Sequence, residues 1–278
     1  MSKKRFFCLP ALAALVATAC AISPTGRRQL SLVPEQTAIG ASKEAYTAQL
    51  AELRSEGKLV TESRVTRRID GITERLVAQA IAMRPETEEW EWSVAVIDEP
   101  EMINAWCMAG GRMAVYTGLL DKLDPSDDEL AQVLAHEISH ALANHTAERM
   151  SVAIATQAGV ALAGAVADDR PEAAQSAAAI AAQLAIQLPN SRSAETEADE
   201  IGIELAAKAG YDPNAALSLW RKMEAAAGSG PPQFMSTHPS PANRQEKLAA
   251  LAPQMMAYYN QARGDAPRHP VNNAVAAR

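Results

Sequence analysis

Apolar positions recur with helical spacing along most of the chain and read as strand in two places. Residues 34–56 and 62–83 read as helices, closed by Gly57 and Pro85. The β-rich run from Trp90 to Ile97 reads as a strand that ends at Asp98–Pro100. Gly110 and Gly111 make a turn, and Arg112–Thr117 is a second strand. The clearest helix covers 126–149. Ser126 and Glu129 form a capping box, and Asp127 and Asp128 add charge where the helix dipole favours it. Leu130, Val133, Leu134, Ile138, Ala141 and Leu142 then lie on one face, and Arg149 closes the run.

Beyond it, 151–188 is nearly all small and apolar. Its first part, Val152–Ala167, is shorter than the roughly 20 residues that span a bilayer, so two helices packed on the core are expected. Ser193–Lys208 is a further helix, ended by Gly210. Asp212 and Pro213 start another, 228–232 is a loop, and Ser240–Pro241 open a last helix to about Ala262. Residues 21–33 have no period and read as an extended lead-in. The tail, 263–278, reads as disordered. The pattern predicts one predominantly helical α+β domain over 34–262.

The first 19 residues change the picture of where this domain works. Lys3, Lys4 and Arg5 precede a short apolar core, and Ala17-Thr18-Ala19 is a small-residue cleavage site, so 1–19 reads as a signal peptide. Cys20 follows directly. This resembles the lipobox of bacterial lipoproteins, with Ala17 where Leu is usual, and makes 20–33 a lipidated lead-in. Ordinary cleavage with an incidental Cys20 is the plainer alternative. Lipid on Cys20 would exclude a disulfide with Cys107, which then reads as a buried small hydrophobe.

The 278-residue chain carries a net charge of −7, which becomes −10 without Lys3, Lys4 and Arg5. No run of Lys or Arg offsets this, which excludes a basic nucleic-acid surface. It is 48% hydrophobic but only 4% aromatic, as expected of helices packed through small side chains.

The chemistry lies in His136-Glu137-Ile138-Ser139-His140. On a helix, i and i+4 share a face, so both imidazoles point to one place, as a Zn²⁺ ion requires. Glu137 is within reach of a water there without being a ligand. Catalytic zinc takes three protein ligands, and the third is sought in Ser191–Asp199. Glu195 and Asp199 share a helical face. One could ligate while the other receives a ligand histidine's N–H, or the cluster could be an acidic first turn in solvent. His145, five residues after His140, projects to another side of a continuous helix and reads as a surface histidine. Trp90, Trp92, Trp106 and Trp220 read as packing residues.

HEISH followed by SRSAETEAD resembles the HtpX-like and Oma-type zinc metallopeptidases (gluzincins) and their bacterial periplasmic lipoprotein members. Thr25–Leu30, Asn104-Ala105-Trp106, Gly110–Leu120, and Thr237-His238-Pro239-Ser240 with Arg244 match in the same order, over about 25–250. Met108-Ala109 departs from a family turn that often holds proline. The resemblance implies a zincin-like domain with a small sheet whose edge strand precedes the HExxH helix. It implies one Zn²⁺ per chain on His136, His140 and Glu195, with Glu137 as general base toward zinc-bound water. Asp199 would assist, and His238 would lie beside the site, where it occupies the open position in some resting relatives. It implies an endopeptidase for unfolded or misassembled envelope proteins, bound as an extended strand near Arg112–Thr117. The location would be the periplasm, anchored at the outer membrane through Cys20. A non-proteolytic periplasmic chaperone that keeps the metal is the rival, and the intact Glu137 weighs against it.

Overall fold

Ser126 Oγ accepts the Glu129 N–H at 3.2 Å, and the Glu129 carboxylate accepts the Ser126 N–H at 2.9 Å. This reciprocal cap starts the central helix at Asp127. The computed structural model describes residues 20–61, 63–167, 189–227, 231–239 and 243–273. The signal peptide, the second half of the apolar 151–188 stretch and the Ser240–Pro241 helix start lie outside the described residues.

In chain order the elements begin with a two-stranded antiparallel hairpin, β1 (Cys20–Ile22) and β2 (Arg28–Leu30). Helices α1 (Glu35–Ser55) and α2 (Arg64–Met83) follow, then β3 (Ser93–Ile97), β4 (Ala105–Met108) and β5 (Arg112–Tyr116). Next come α3 (Thr117–Leu123), α4 (Asp127–Leu142), α5 (His145–Ala167), α6 (Arg192–Lys208), α7 (Ala215–Ala225), α8 (Gln233–Thr237), α9 (Arg244–Ala262) and β6 (Asn272–Asn273). The fold is predominantly helical with small sheets.

The main sheet has the order β4-β5-β3-β6. Strand β5 runs parallel to β3, with Ser93 opposite Arg112, and antiparallel to β4, with Met108 opposite Arg112. Side chains alternate between two covered faces. Val94, Val96, Met113 and Val115 join α2 and α4 in the larger core. Ala95, Ile97, Ala114 and Tyr116 join Trp106 and the α1 residues Tyr46, Leu50 and Leu53 on the other side. A sheet covered on both faces has no apolar–polar alternation, so β4 was not visible in the sequence. The β4–β5 turn needs Gly111, at φ +77, because a Cβ there would collide with the Trp92 ring.

Four expectations are corrected. Arg112–Tyr116 is paired on both sides, so it is not an edge; the free edge next to the HExxH helix is β4. The lead-in 21–33 contains a hairpin. The tail supplies β6, whose Asn272 and Asn273 pair with Ser93 and Val94. The helix expected over 126–149 is two helices. Asn144 takes φ 56, the left-handed conformation Asn tolerates after a helix end. The exposed C-terminal carbonyls of α4 are met from outside: Arg84 Nη1 donates to Leu142 O at 2.8 Å and Gln29 Nε2 to Ala143 O at 2.7 Å. Among the described residues, no helix is long and apolar enough to cross a membrane.

Helices α4 and α6 pack most extensively on each other, and Gly202 sets their closeness. Its absent side chain lets α6 approach His136 so near that a Cβ would lie 3.1 Å from the His136 N and Cα atoms. This approach places Glu195 beside the two histidines.

Candidate metal centre

His136, His140, Glu195 and His238 each present a donor atom to one buried point, all within 4.8 Å of one another. His136 Nε2 lies 3.1 Å from His140 Nε2 and 3.3 Å from Glu195 Oε2. His140 Nε2 lies 3.4 Å from Glu195 Oε1, and His238 Nδ1 is 3.1 Å from Glu195 Oε1 and 3.4 Å from His136 Nε2. Four donors around one tetrahedral zinc at about 2.0–2.1 Å would stand about 3.3 Å apart. The observed spacing and the nitrogen–oxygen donor set therefore fit a zinc ion, and His238 offers a fourth donor.

Each of these candidate donors is held from outside. His136 Nδ1 lies 3.0 Å from Asp199 Oδ1. Arg244 donates from Nε to the other Asp199 oxygen at 2.6 Å and from Nη2 to Glu195 Oε2 at 2.7 Å. Its guanidinium stacks over Trp220 at 3.9 Å. His238 stacks on Phe234, and Asn190 Nδ2 reaches its Nδ1 at 3.2 Å. Carboxylate–imidazole contacts of this kind fix the tautomer and aim the other ring nitrogen at the metal.

Burial sets the charge balance. It pushes Glu137 up from the usual carboxylate range, with His238 and His136 pulling the other way. Burial holds His140 well below the usual imidazole value. Against its own burial, Glu195 is held well below the usual range by His238 and His136. Burial would also keep His136 neutral, yet Asp199 and Glu195 outweigh it and push it up to about 9. Glu137 Oε1 is buried with no hydrogen-bond partner and stands 3.4 Å from His238 Nε2. A buried carboxylate oxygen left without a partner costs stability, so its presence asks for a group that arrives with substrate or water.

Every residue singled out for the site in the sequence is within this cluster. Missing from that reading are Asn190, Glu197 and His145. His145 is buried, not on the surface: with the chain broken at Asn144, a projection along one continuous helix fails. Its Nδ1 is 2.7 Å from His140 Nδ1 and its Nε2 3.1 Å from Glu197 Oε2. Asn144, a residue that ends helices, was the available signal.

The family model described as peptidase family M48 matches residues 63–252. The mitochondrial metalloendopeptidase OMA1 of Schizosaccharomyces pombe is 38% identical over 166 residues, 59% of this chain and 48% of its own length. The mitochondrial metalloendopeptidase OMA1 of Homo sapiens is 31% identical over 250 residues, 84% of this chain and 46% of its own. The beta-barrel assembly-enhancing protease of Escherichia coli is 28% identical over 225 residues, 78% of this chain and 45% of its own. The chain thus spans about half the length of these relatives.

Proposed function

The chain belongs to peptidase family M48, and from that premise we propose that it is a zinc-dependent endopeptidase. The observation that carries this reading is the convergence of His136, His140 and Glu195 on one point beside the buried, unpartnered Glu137 oxygen. When bound, zinc supplies Lewis-acid activation of water and of the scissile carbonyl. Glu137 accepts the water's proton and returns it to the leaving amine, a task favoured by burial that raises its affinity for protons. His140 is held neutral by burial, His136 would give up its proton when the ion binds, and Asp199 and Arg244 hold His136 and Glu195 in place. His238 would offer that ion a fourth donor.

The free edge of β4 suits an extended peptide. Tyr116 N–H donates to Asn104 O, so alternate residues 104, 106 and 108 bond to β5 while Ala105 and Cys107 face away. The Cys107 backbone lies near enough to Glu137 to favour its charged form, and Phe234 N–H donates to Ile103 O, which bounds the edge. The main-chain groups of Ala105 that no strand pairs, buried in this structure, would pair a substrate strand next to Glu137, with little sequence preference. This favours unfolded segments, and envelope proteins are the proposed source, with a lipid on the exposed Cys20 as the tether.

Glu137→Gln tests the reading. Cleavage of an unstructured protein such as casein should fall by roughly 10²–10⁴-fold with zinc retained. Undiminished cleavage by the purified variant would refute it.

A further inference from the structure

The two ligand histidines are supported in different ways. His136 meets a carboxylate directly, whereas the outer nitrogen of His140 meets another imidazole, His145 Nδ1, at 2.7 Å. That imidazole is fixed by Glu197, which is buried and reached from outside the domain core by the N-terminal hairpin. Thr25 Oγ1 donates to Glu197 Oε1 at 2.6 Å, and Arg27 Nε donates to Oε2 at 2.7 Å. The same guanidinium forms a fork on Glu148, at 2.7 and 2.6 Å. Ser23 Oγ accepts the Arg27 N–H and bends the β1–β2 turn that carries both residues. The hairpin is seated further by Gln29 on Ala143 O and by Ser151 Oγ, which accepts the N–H groups of Leu32 and Val33.

We infer that the β1–β2 hairpin is a working part of the metal centre: Thr25 and Arg27 fix Glu197, Glu197 fixes His145, and His145 orients the ligand ring of His140. The chemistry of the donors sets the direction. An ionised Glu197 only accepts, so His145 Nε2 carries the hydrogen facing it. Neutral His145 then has Nδ1 free to accept, and His140 must donate from its own Nδ1. That tautomer leaves the His140 Nε2 lone pair aimed at the point shared with His136 and Glu195. Without Arg27 and Thr25, Glu197 would be a buried carboxylate with one imidazole partner, free to turn away, and His145 would turn with it. The segment next to the proposed tether at Cys20 thereby reaches the metal centre through four side chains. Thr25, Arg27, Glu197 and His145 are positioning residues, and their role rests on the metallopeptidase reading.

The test uses the full chain and metal itself as the probe. Zinc affinity is measured by competition with a chromophoric chelator, cobalt-substituted protein by its visible ligand-field bands, and thermal stability with chelator present. Glu197→Gln, which keeps shape, and Arg27→Met should each weaken zinc binding about 10–100-fold and shift the cobalt bands. Arg27→Lys, which keeps the charge but not the fork, should recover part of the loss. Zinc affinity within twofold of wild type and unshifted cobalt bands in Glu197→Gln would overturn the inference, even if the metal-free protein melted lower, since that is what a merely packed hairpin would give. Should Arg27→Met fail to fold, the isosteric Glu197→Gln decides. A wild-type chain that binds no zinc would sink the metallopeptidase reading, and this inference with it. Wild-type binding that the variants match would sink this inference alone.

Discussion

Arg244 donates to Glu195 Oε2 at 2.7 Å while both side chains are buried, so the proposed ligand carboxylate is oriented by a guanidinium that also grips Asp199. One residue of α9 thereby holds a ligand of α6 and the partner of His136 on α4. Removing the cation leaves the buried Glu195 and the partly buried Asp199 with only imidazoles as charged partners. Arg244→Met is expected to lose roughly 3–5 kcal/mol of stability. It should also bind zinc at least tenfold more weakly. Urea unfolding and chelator competition measure the two. Arg244→Lys should fall between, because an ammonium cannot serve both carboxylates with a planar fork. A fully stable Arg244→Met with native zinc affinity would remove Arg244 from the site.

Gly202 links the fold to the centre more directly than any ligand does. A methyl group at this position would lie 3.1 Å from the backbone of His136, so α6 must move outward by a few tenths of an ångström. Ala is about 1 kcal/mol better than Gly in a helix interior, so Gly202→Ala need not unfold the protein. The expected result is metal-free stability within about 1 kcal/mol of wild type, with zinc affinity down roughly tenfold because Glu195 has moved off its position. Affinity unchanged in a stable Gly202→Ala would mean the helix spacing is not what sets the ligand geometry.

The central helix was legible because its signals are local: Ser126 and Glu129 cap it, and its apolar face has the right period. The i, i+4 spacing of His136 and His140, and of Glu195 and Asp199, likewise survives folding unchanged. What the sequence hid depends on distant partners. The carbonyls freed where α4 stops at Asn144 are satisfied by Arg84 and Gln29, from 58 and 114 residues away, so Asn144 itself is the sole local sign of the break. His145 looks like a surface residue only when the helix is projected straight through Asn144. Strand β4, Ala-Trp-Cys-Met, is buried on both faces and has no alternation to read. Asn272 and Asn273 form a strand only because β3 offers them an edge.

His238 stands among the donors, 3.1 Å from Glu195 Oε1, and its other nitrogen faces Glu137. Four protein ligands make a closed site, and peptide hydrolysis needs an open one. His238→Ala should therefore raise kcat on an unstructured peptide several-fold, as steady-state kinetics would show, while weakening zinc binding. A fall in kcat at unchanged zinc affinity would instead make His238 a donor to the oxyanion that develops during attack.

Glu129 gives a pH test that is independent of the metal. Burial alone would raise its proton affinity, but Lys222, Ser218 and the Ser126 N–H outweigh burial and hold it below the usual carboxylate value. The contacts are 2.7 Å from Lys222 Nζ, 2.6 Å from Ser218 Oγ and 2.9 Å from Ser126 N. A group with a depressed folded value binds fewer protons folded than unfolded, so its stabilisation is complete above the unfolded value of about 4.3 and disappears as pH falls through the folded one. Lys222 is partly solvated, which limits the pair, so Glu129→Gln is expected to cost roughly 1 kcal/mol at pH 7. In urea unfolding that gap should narrow below about pH 4 and close further toward pH 3. A gap that stays constant from pH 7 to about pH 3 would mean that Glu129 acts by shape alone, and that the cap of the metal-bearing helix does not depend on its charge.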